Sequence, residues 1–159
     1  MKVEQIMKRP VNTCTPRDTL NTAAKIMWDH DCGCVPIVED GRLVGMLTDR
    51  DICMAAYTQG APLTGLEVWK AMSNVVHICR PSDTLAVAER LMQTHGIRRL
   101  PIVDSDGRLV GLLSLSDIAL EGVRERSGKA KRQISADEVA RTLGSICEPR
   151  ESTSLATAA

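Results

Sequence analysis

A twelve-residue stretch occurs twice in this chain and constrains its fold more than any other feature. The first copy, Gly41 to Ile52, reads GRLVGMLTDRDI, and the second, Gly107 to Ile118, reads GRLVGLLSLSDI. Each copy has the pattern of a short apolar strand followed by a hydroxyl residue, two spacers and an aspartate that opens a helix. Two copies of one strand–helix junction in 159 residues indicate an internal duplication.

The spacing of other matched segments extends the duplication. Residues 18–20 (DTL) return as 83–85, and residues 36–38 (PIV) return as 101–103, in both cases 65 residues later. Gly41 returns as Gly107 after 66 residues, so the second hairpin turn is one residue longer. Because surface turns tolerate insertions, a one-residue difference confined to a turn is compatible with a true structural repeat.

Local patterns assign the order strand–helix–strand–strand–helix to each half. In the first half, alternation over residues 11–14 predicts a short strand, and Asp18 or Thr19 caps a helix with an apolar face. Residues 34–38 and 42–47 are predicted strands joined by an Asp40-Gly41 turn. Thr48 then opens a second helix.

A two-stranded hairpin covered by helices cannot bury its apolar surface alone, whereas two such halves can bury each other's sheets. The predicted fold class is therefore α/β, with two pseudo-symmetric β-α-β-β-α repeats packed sheet to sheet and a short C-terminal helix. Expected boundaries are 7–58 for repeat 1, 59–71 for a linker with a short helix and 72–122 for repeat 2. Residues 123–159 are expected to hold the last helix, with Ser135 and Glu138 as its capping box, and a disordered tail.

Composition narrows the function classes. Twenty basic and twenty acidic residues cancel, which does not favour nucleic acid or an anionic membrane as the partner. The charged connector at 124–132 is accordingly expected to be a solvated segment. No apolar run approaches the roughly 20 residues of a membrane helix, and the N-terminus lacks a signal-peptide pattern, so a cytosolic location is expected.

The two GRLVG-containing junctions, each preceded by PIV and followed by T/S-x-x-D-I, resemble a tandem pair of cystathionine-β-synthase (CBS) domains, the Bateman module. The resemblance covers roughly Met7 to Glu121, and the terminal Ile146-Cys147-Glu148-Pro149 is similar to that of stand-alone bacterial pairs. It implies a non-enzymatic regulatory module that binds adenosine derivatives in clefts between the repeats. It also implies a homodimer in the form of a flat disc of four repeats.

The T/S-x-x-D segments are the candidate ribose sites. A carboxylate in the first turn of a helix can accept hydrogen bonds from both hydroxyls of a ribose, and charge-assisted bonds of this kind are strong. The same Thr48-x-x-Asp51 spacing is close to a capping box, in which the aspartate only caps the helix. The occurrence of two copies inside the repeat favours the nucleotide interpretation for Asp51 and, by symmetry, for Asp117.

The two clefts are not expected to be equivalent. Carried over from the family, Arg98 and Arg99 would reach the phosphate of the nucleotide on Asp51, unless they are a surface pair or a dimer contact. The cleft of Asp117 would face Gly33 and Cys34 and lack that charge. The candidate residues of cleft 1 are Val11, Thr13, Val35, Thr48, Asp51, Arg98 and Arg99. Those of cleft 2 are Cys34, Arg50, Val76, Ile78, Leu100, Ser114, Ser116 and Asp117, and Arg50 and Ser116 occupy matching positions.

Cysteine and histidine give weaker signals. His30, Cys32 and Cys34 cluster in sequence, and Cys14 can approach them, but the spacing matches no common zinc site. Buried structural cysteines are the default, no metal site is predicted, and a redox-responsive pair is the alternative. His77 and His95 are interpreted as structural or surface residues.

The leading hypothesis is a non-enzymatic regulatory module that binds AMP, ADP or ATP and signals to a separate effector protein. No nucleophile elbow, P-loop or zinc-hydrolase motif points to catalysis. The alternative is a homodimeric structural or redox-responsive CBS protein with empty nucleotide clefts. No obligatory cofactor is expected in either case.

Overall fold

A computed structural model describes residues 1–127 and 133–148. The first repeat contains α1 (Leu20–Asp29), β1 (Cys34–Glu39), β2 (Arg42–Thr48) and α2 (Asp49–Gln59). The second contains α3 (Leu85–His95), β3 (Arg99–Val103), β4 (Leu109–Ser114) and α4 (Leu115–Ser127), and α5 (Ala136–Cys147) follows it. The predicted α/β class with two matching halves and a C-terminal helix is confirmed. Part of the predicted charged connector and the tail after Glu148 lie outside the described residues.

Each repeat is centred on an antiparallel hairpin. Cys34 pairs with Thr48 in the first hairpin and Arg99 pairs with Ser114 in the second, and both ladders shift register at the same relative position. The predicted first turn is confirmed, because Asp40 and Gly41 have φ values of 49° and 77°. Positive φ at both central residues belongs to the type I′ turn, whose twist matches that of the strands. Of the two predicted caps of α1, Asp18 and Thr19, the structure has Thr19, since its side chain accepts a bond from the Thr22 amide.

The first strand predicted in each repeat is reduced to an isolated parallel bridge. Cys14 pairs with Ile37, and its counterpart Cys79 pairs with Ile102. The Cys14 amide donates to the Pro36 carbonyl at 3.2 Å, and the Val38 amide donates to the Cys14 carbonyl at 2.8 Å. The alternating pattern therefore identified extended chain correctly, but pairing with β1 and β3 is confined to the cysteine.

The segment that precedes each repeat packs on the opposite repeat. The amide of buried Val3 donates to the Asp83 carbonyl at 2.9 Å, and Lys8 bridges Leu112 in β4. In the same way, Val68 is buried in the core of the first repeat, and Ser73 bridges Met46 in β2. The short helix expected in the linker is a 3-10 turn at Val68–Lys70, and a similar turn lies at Val3–Gln5. The two halves are thus joined by exchanged segments.

The second glycine of each GRLVG motif makes room for these exchanged segments. A Cβ atom on Gly45 would lie 2.8 Å from the Met72 sulfur and 3.0 Å from the Ser73 carbonyl oxygen. A Cβ atom on Gly111 would overlap the side chain of Met7. Since a Cβ atom does not fit at these distances, any larger residue would push the exchanged segment away from the strand. The GRLVG motif therefore forms a strand and also supplies the glycine against which the exchanged segment packs.

Helix α5 packs on α3 and α4 of the second repeat. Its buried face is centred on Thr142, whose Oγ1 accepts from Gln93 Nε2 at 2.7 Å, whereas Leu143 is 48% exposed. The predicted capping box was wrong, because Ser135 precedes the helix without a side-chain capping bond. The chain before α5 is held by Glu125 instead, which accepts from the amides of Gln133 and Ile134.

Candidate ligand-binding cleft

A cavity of about 910 Å³ lies at the C-terminal end of β2. Its walls come from three parts of the chain: the β2–α2 junction, the second repeat, and the end of α5. The first repeat contributes Thr48 and Asp51, and the second contributes Arg98 and Arg99. Four residues assigned to cleft 1 from the sequence therefore do line one cavity.

Thr48 and Asp51 form a complete capping box at the start of α2. The Thr48 amide donates to Asp51 Oδ2 at 2.8 Å, and the Thr48 hydroxyl donates to the same oxygen at 2.7 Å. The Asp51 amide donates back to Thr48 Oγ1 at 3.2 Å. All of these bonds to the carboxylate use Oδ2. The capping interpretation is thus correct, and Oδ1 takes no part in the capping box of this half-buried residue, which lines the cavity.

Asp117, the matching aspartate of the second repeat, has an additional contact. Asp117 Oδ2 accepts from the Ser114 amide at 2.8 Å and from the Ser114 hydroxyl at 2.5 Å, as in the first repeat. Its Oδ1, however, lies 3.2 Å from Nζ of Lys8, and the residue is 9% exposed. Lys8 belongs to the exchanged N-terminal segment that pairs with β4. Both oxygens of Asp117 are therefore engaged by protein groups.

The positions of Arg98 and Arg99 in the cavity are determined by the start of β3. The Arg98 carbonyl accepts from the Leu115 amide at 2.9 Å, and Arg99 begins the strand. A Cβ atom on Gly33 would lie 3.2 Å from Arg99 Nη2 and 2.9 Å from Asp49 Oδ2. Glycine at this position therefore allows Arg99 and Asp49 to approach the β1 end of the cavity. This gives a steric reason for the glycine of the Cys-Gly-Cys sequence.

The hydrophobic walls predicted from the sequence do not lie where they were expected. Val35 and Leu100 are fully buried in the two cores, so they have no surface to offer a ligand. Val11 and Thr13 are absent from the lining of the cavity, whose apolar residues include Met46, Val75, Val76, Ile97, Pro101 and Ile146. The reason is the exchange of segments, which places Ser73 beside Met46 of β2 and Lys8 beside Leu112 of β4.

Only some of the residues predicted for cleft 2 lie together in one cavity. Cys34, Arg50 and Val76 line the cavity of Asp51, whereas Ile78, Leu100, Ser114, Ser116 and Asp117 do not. Arg50 is thus a third arginine of the Asp51 cavity. Cys34, expected opposite Asp117, instead lines the cavity of Asp51, and it pairs with Thr48 at the end of β2.

His77 of the cavity lining stacks on His95, a contact that the sequence did not predict. The rings of His77 and His95 lie 3.5 Å apart between centroids, with an angle of 12° between their planes. Burial, and to a lesser extent the charge of His95, lower the pKa of His77 below its usual 6.5. No local motif links these residues, since His77 precedes α3 and His95 ends it. Only the tertiary fold brings them together.

The buried cysteines are poor nucleophiles. Burial raises the pKa of Cys14, Cys34 and Cys79 to about 11, and Arg99 only partly opposes this effect at Cys34. All six cysteines are free thiols. Because the thiolate is the reactive form, a pKa near 11 makes oxidation of Cys34 slow at neutral pH. The described residues contain no cluster of three or more His, Cys, Asp or Glu side chains arranged to hold a metal ion.

Within the described ranges, no helix is long and apolar enough to span a membrane.

Comparison with known proteins agrees with the internal repeat. The family model described as CBS domain matches residues 3–57 and 67–123. The CBS domain-containing protein YhcV of Bacillus subtilis is 39% identical over 138 residues, covering 86% of this chain and 97% of YhcV. Hypoxic response protein 1 of Mycobacterium tuberculosis is 29% identical over 145 residues, covering 91% of this chain and 92% of that protein.

Solved structures show the same fold. The CBS domain pair of protein MJ0100, determined with 5′-methylthioadenosine and S-adenosyl-L-methionine, superposes with a TM-score of 0.71 at 27% identity and covers 78% of this chain and 98% of that one. A Hypoxic Response Protein I with two coordinated zinc ions has a TM-score of 0.67 at 30% identity, with 76% and 98% coverage. From the two matched segments, the exchanged packing and these likenesses, the chain belongs to the CBS domain family and contains a tandem pair of CBS domains.

Proposed function

We propose that the chain binds an adenine nucleotide (AMP, ADP or ATP) in the Asp51 cavity and thereby regulates a partner protein. One observation carries this proposal. A carboxylate oxygen at a helix start and three arginines line one cavity between the repeats. A ribose needs the first of these groups and a phosphate needs the second.

Each group has a part in the proposed binding. Asp51 Oδ1 accepts from the ribose hydroxyls, while Oδ2 keeps the carboxylate fixed through the capping box. Arg98 and Arg99 bind the phosphate from the other side of the cavity, and Val75 and Val76 contact the adenine. Because the MJ0100 pair is solved with two adenosine compounds, a likeness at 27% identity supports an adenosine-type ligand here.

A binding screen tests the proposal. Thermal shift and calorimetry are run with AMP, ADP, ATP, NAD and S-adenosylmethionine at up to millimolar concentration. Saturable binding of at least one nucleotide, lost in Asp51→Ala, supports the proposal. If no adenine compound binds at millimolar concentration, the regulatory nucleotide function is wrong.

A homodimer is a second part of the proposal and rests on a separate observation. Met54 and Tyr57 on α2 are 47% and 82% exposed. Leu120 and Val123, 66 positions later on α4, are 57% and 58% exposed. A twofold interface needs a self-complementary surface, and matched apolar pairs on both repeats provide one. Light scattering should give twice the 17.3 kDa chain mass, and Tyr57→Glu with Leu120→Glu should give the monomer.

The redox-responsive alternative receives less support from the structure. Cys34, the thiol placed at the cavity, is 2% exposed and its pKa is raised to about 11. Mild peroxide should therefore leave nucleotide affinity unchanged. A loss of affinity that dithiothreitol reverses would favour the alternative.

A further inference from the structure

The end of α5 forms part of the ligand cavity, although α5 follows the residues that match the family. The family match ends at residue 123, and α5 covers Ala136–Cys147. Ile146 and Glu148, at the end of this helix, both line the cavity of Asp51. The cleft of this chain therefore has a wall that the two CBS domains do not supply.

Packing against the second repeat fixes the position of this wall. Thr142 is fully buried and is bonded to Gln93 of α3. The segment before the helix is held by the carboxylate of Glu125, and Ile134 packs against Gly122, where a Cβ atom would lie 3.1 Å from its Cγ2. The helix is thus held before its first turn and at Thr142, and Ile146 in its last turn lies at the cavity.

Glu148 changes the charge balance of the cavity. The lining contains Arg50, Arg98 and Arg99, and it also contains the carboxylates of Asp49, Asp51 and Glu148. Among the lining residues, three formal positive charges therefore meet three negative ones, with the neutral form of His77 favoured by its lowered pKa. ATP carries roughly two more negative charges than AMP at neutral pH. Each added phosphate therefore gains from the arginines but is opposed by Asp49 and Glu148.

We infer that Ile146 and Glu148 of α5 complete the nucleotide cleft and that Glu148 limits the number of phosphates it accepts, so that AMP binds better than ATP. Ile146 adds apolar contact that serves every adenine nucleotide equally. This inference rests on the proposed function, because it assumes that the Asp51 cavity is the nucleotide site.

The test measures dissociation constants for AMP and ATP by calorimetry without magnesium, at low and high salt. The variants are Glu148→Gln, Glu148→Lys and Ile146→Ala. Glu39→Gln is the matched control, because it removes one exposed carboxylate at the β1–β2 hairpin, away from the cavity lining. The affinity for ATP relative to AMP should rise about threefold in Glu148→Gln and further in Glu148→Lys, with a smaller change at high salt.

The outcomes separate the two proposals. Wild-type chain that binds neither nucleotide overturns the proposed function and this inference together. Wild-type chain that binds AMP, with an ATP-to-AMP ratio unchanged in both Glu148 variants, overturns only the role of Glu148. A ratio that moves equally in Glu39→Gln also overturns it, because the effect would then come from net charge. Ile146→Ala should lower the affinities for AMP and ATP by the same factor. Unchanged affinities would show that α5 does not contact the bound nucleotide.

Discussion

Nζ of Lys8 lies 3.2 Å from Oδ1 of Asp117, whereas Asp51, the matching carboxylate of the first repeat, lies on the cavity with Oδ2 alone engaged in its capping box. The two copies of the T/S-x-x-D motif thus have the same local structure and different surroundings. Lys8 reaches Asp117 because the N-terminal segment packs on the second repeat. This ion pair makes the two candidate ribose sites unequal.

We therefore expect different effects from the two aspartate substitutions. Asp51→Ala and Asp117→Ala each remove a carboxylate that accepts from the amide and hydroxyl of Thr48 or Ser114 at a helix start, and each should lower the free energy of unfolding by about 1 kcal/mol. Only Asp51→Ala should also lower the affinity for AMP, by about tenfold or more, since a charge-assisted hydrogen bond to the ribose is lost. Urea unfolding measures the first effect and calorimetry the second. Equal losses of AMP affinity would refute the proposed asymmetry of the clefts.

Removal of Arg98 or Arg99 should weaken binding of the phosphate group and leave binding of the nucleoside unchanged. Arg98→Ala and Arg99→Ala should each weaken AMP by about fivefold to tenfold, because a hydrogen bond to a charged group contributes roughly 1.5–3 kcal/mol when buried and less at an exposed site. Adenosine, which lacks the phosphate, should bind each variant and the wild type alike in the same calorimetric assay. A matched loss for adenosine would mean that the arginines only maintain the shape of the cavity.

The thiols should separate into two groups by reactivity. Cys14, Cys34 and Cys79 have pKa values raised to about 11 by burial, so only about one thiol in ten thousand is ionised at neutral pH. Cys53 and Cys147 are exposed. Iodoacetamide followed by peptide mass spectrometry should label the exposed pair first, and label the buried three only in urea. Rapid labelling of Cys34 in the folded chain would contradict its observed burial.

The stacked histidines should make stability depend on pH in a defined direction. Burial and the charge of His95 lower the pKa of His77, so the folded state binds fewer protons than the unfolded state once the pH falls below about 6.5. The stabilisation is thus complete above about pH 6.5 and is lost as the pH falls through the folded pKa. Urea midpoints measured between about pH 8 and pH 5 should fall less steeply for His95→Gln than for wild type. Identical slopes would show that the pair does not titrate as inferred.

Much of the fold was predictable because its signals are local. The GRLVG strands, the Asp40-Gly41 turn and the Thr19 cap each depend on residues a few positions apart, and each has the predicted structure. The capping box predicted at Ser135 did not form, and the chain before the helix is held by a residue further away in sequence, because Glu125 accepts from the amides of Gln133 and Ile134. A contact of this kind leaves no trace in the local pattern.

The sequence by itself determined the duplication, the α/β class and the placement of a carboxylate at the start of α2 and near the start of α4, since these follow from spacing and side-chain chemistry. Only the tertiary structure decided which residues share a cavity. The exchange of residues 1–8 and 66–73 between repeats brings Val76 to Asp51 and Lys8 to Asp117. Such long-range pairing leaves no periodic trace, because it depends on how two folded halves pack and not on neighbouring residues.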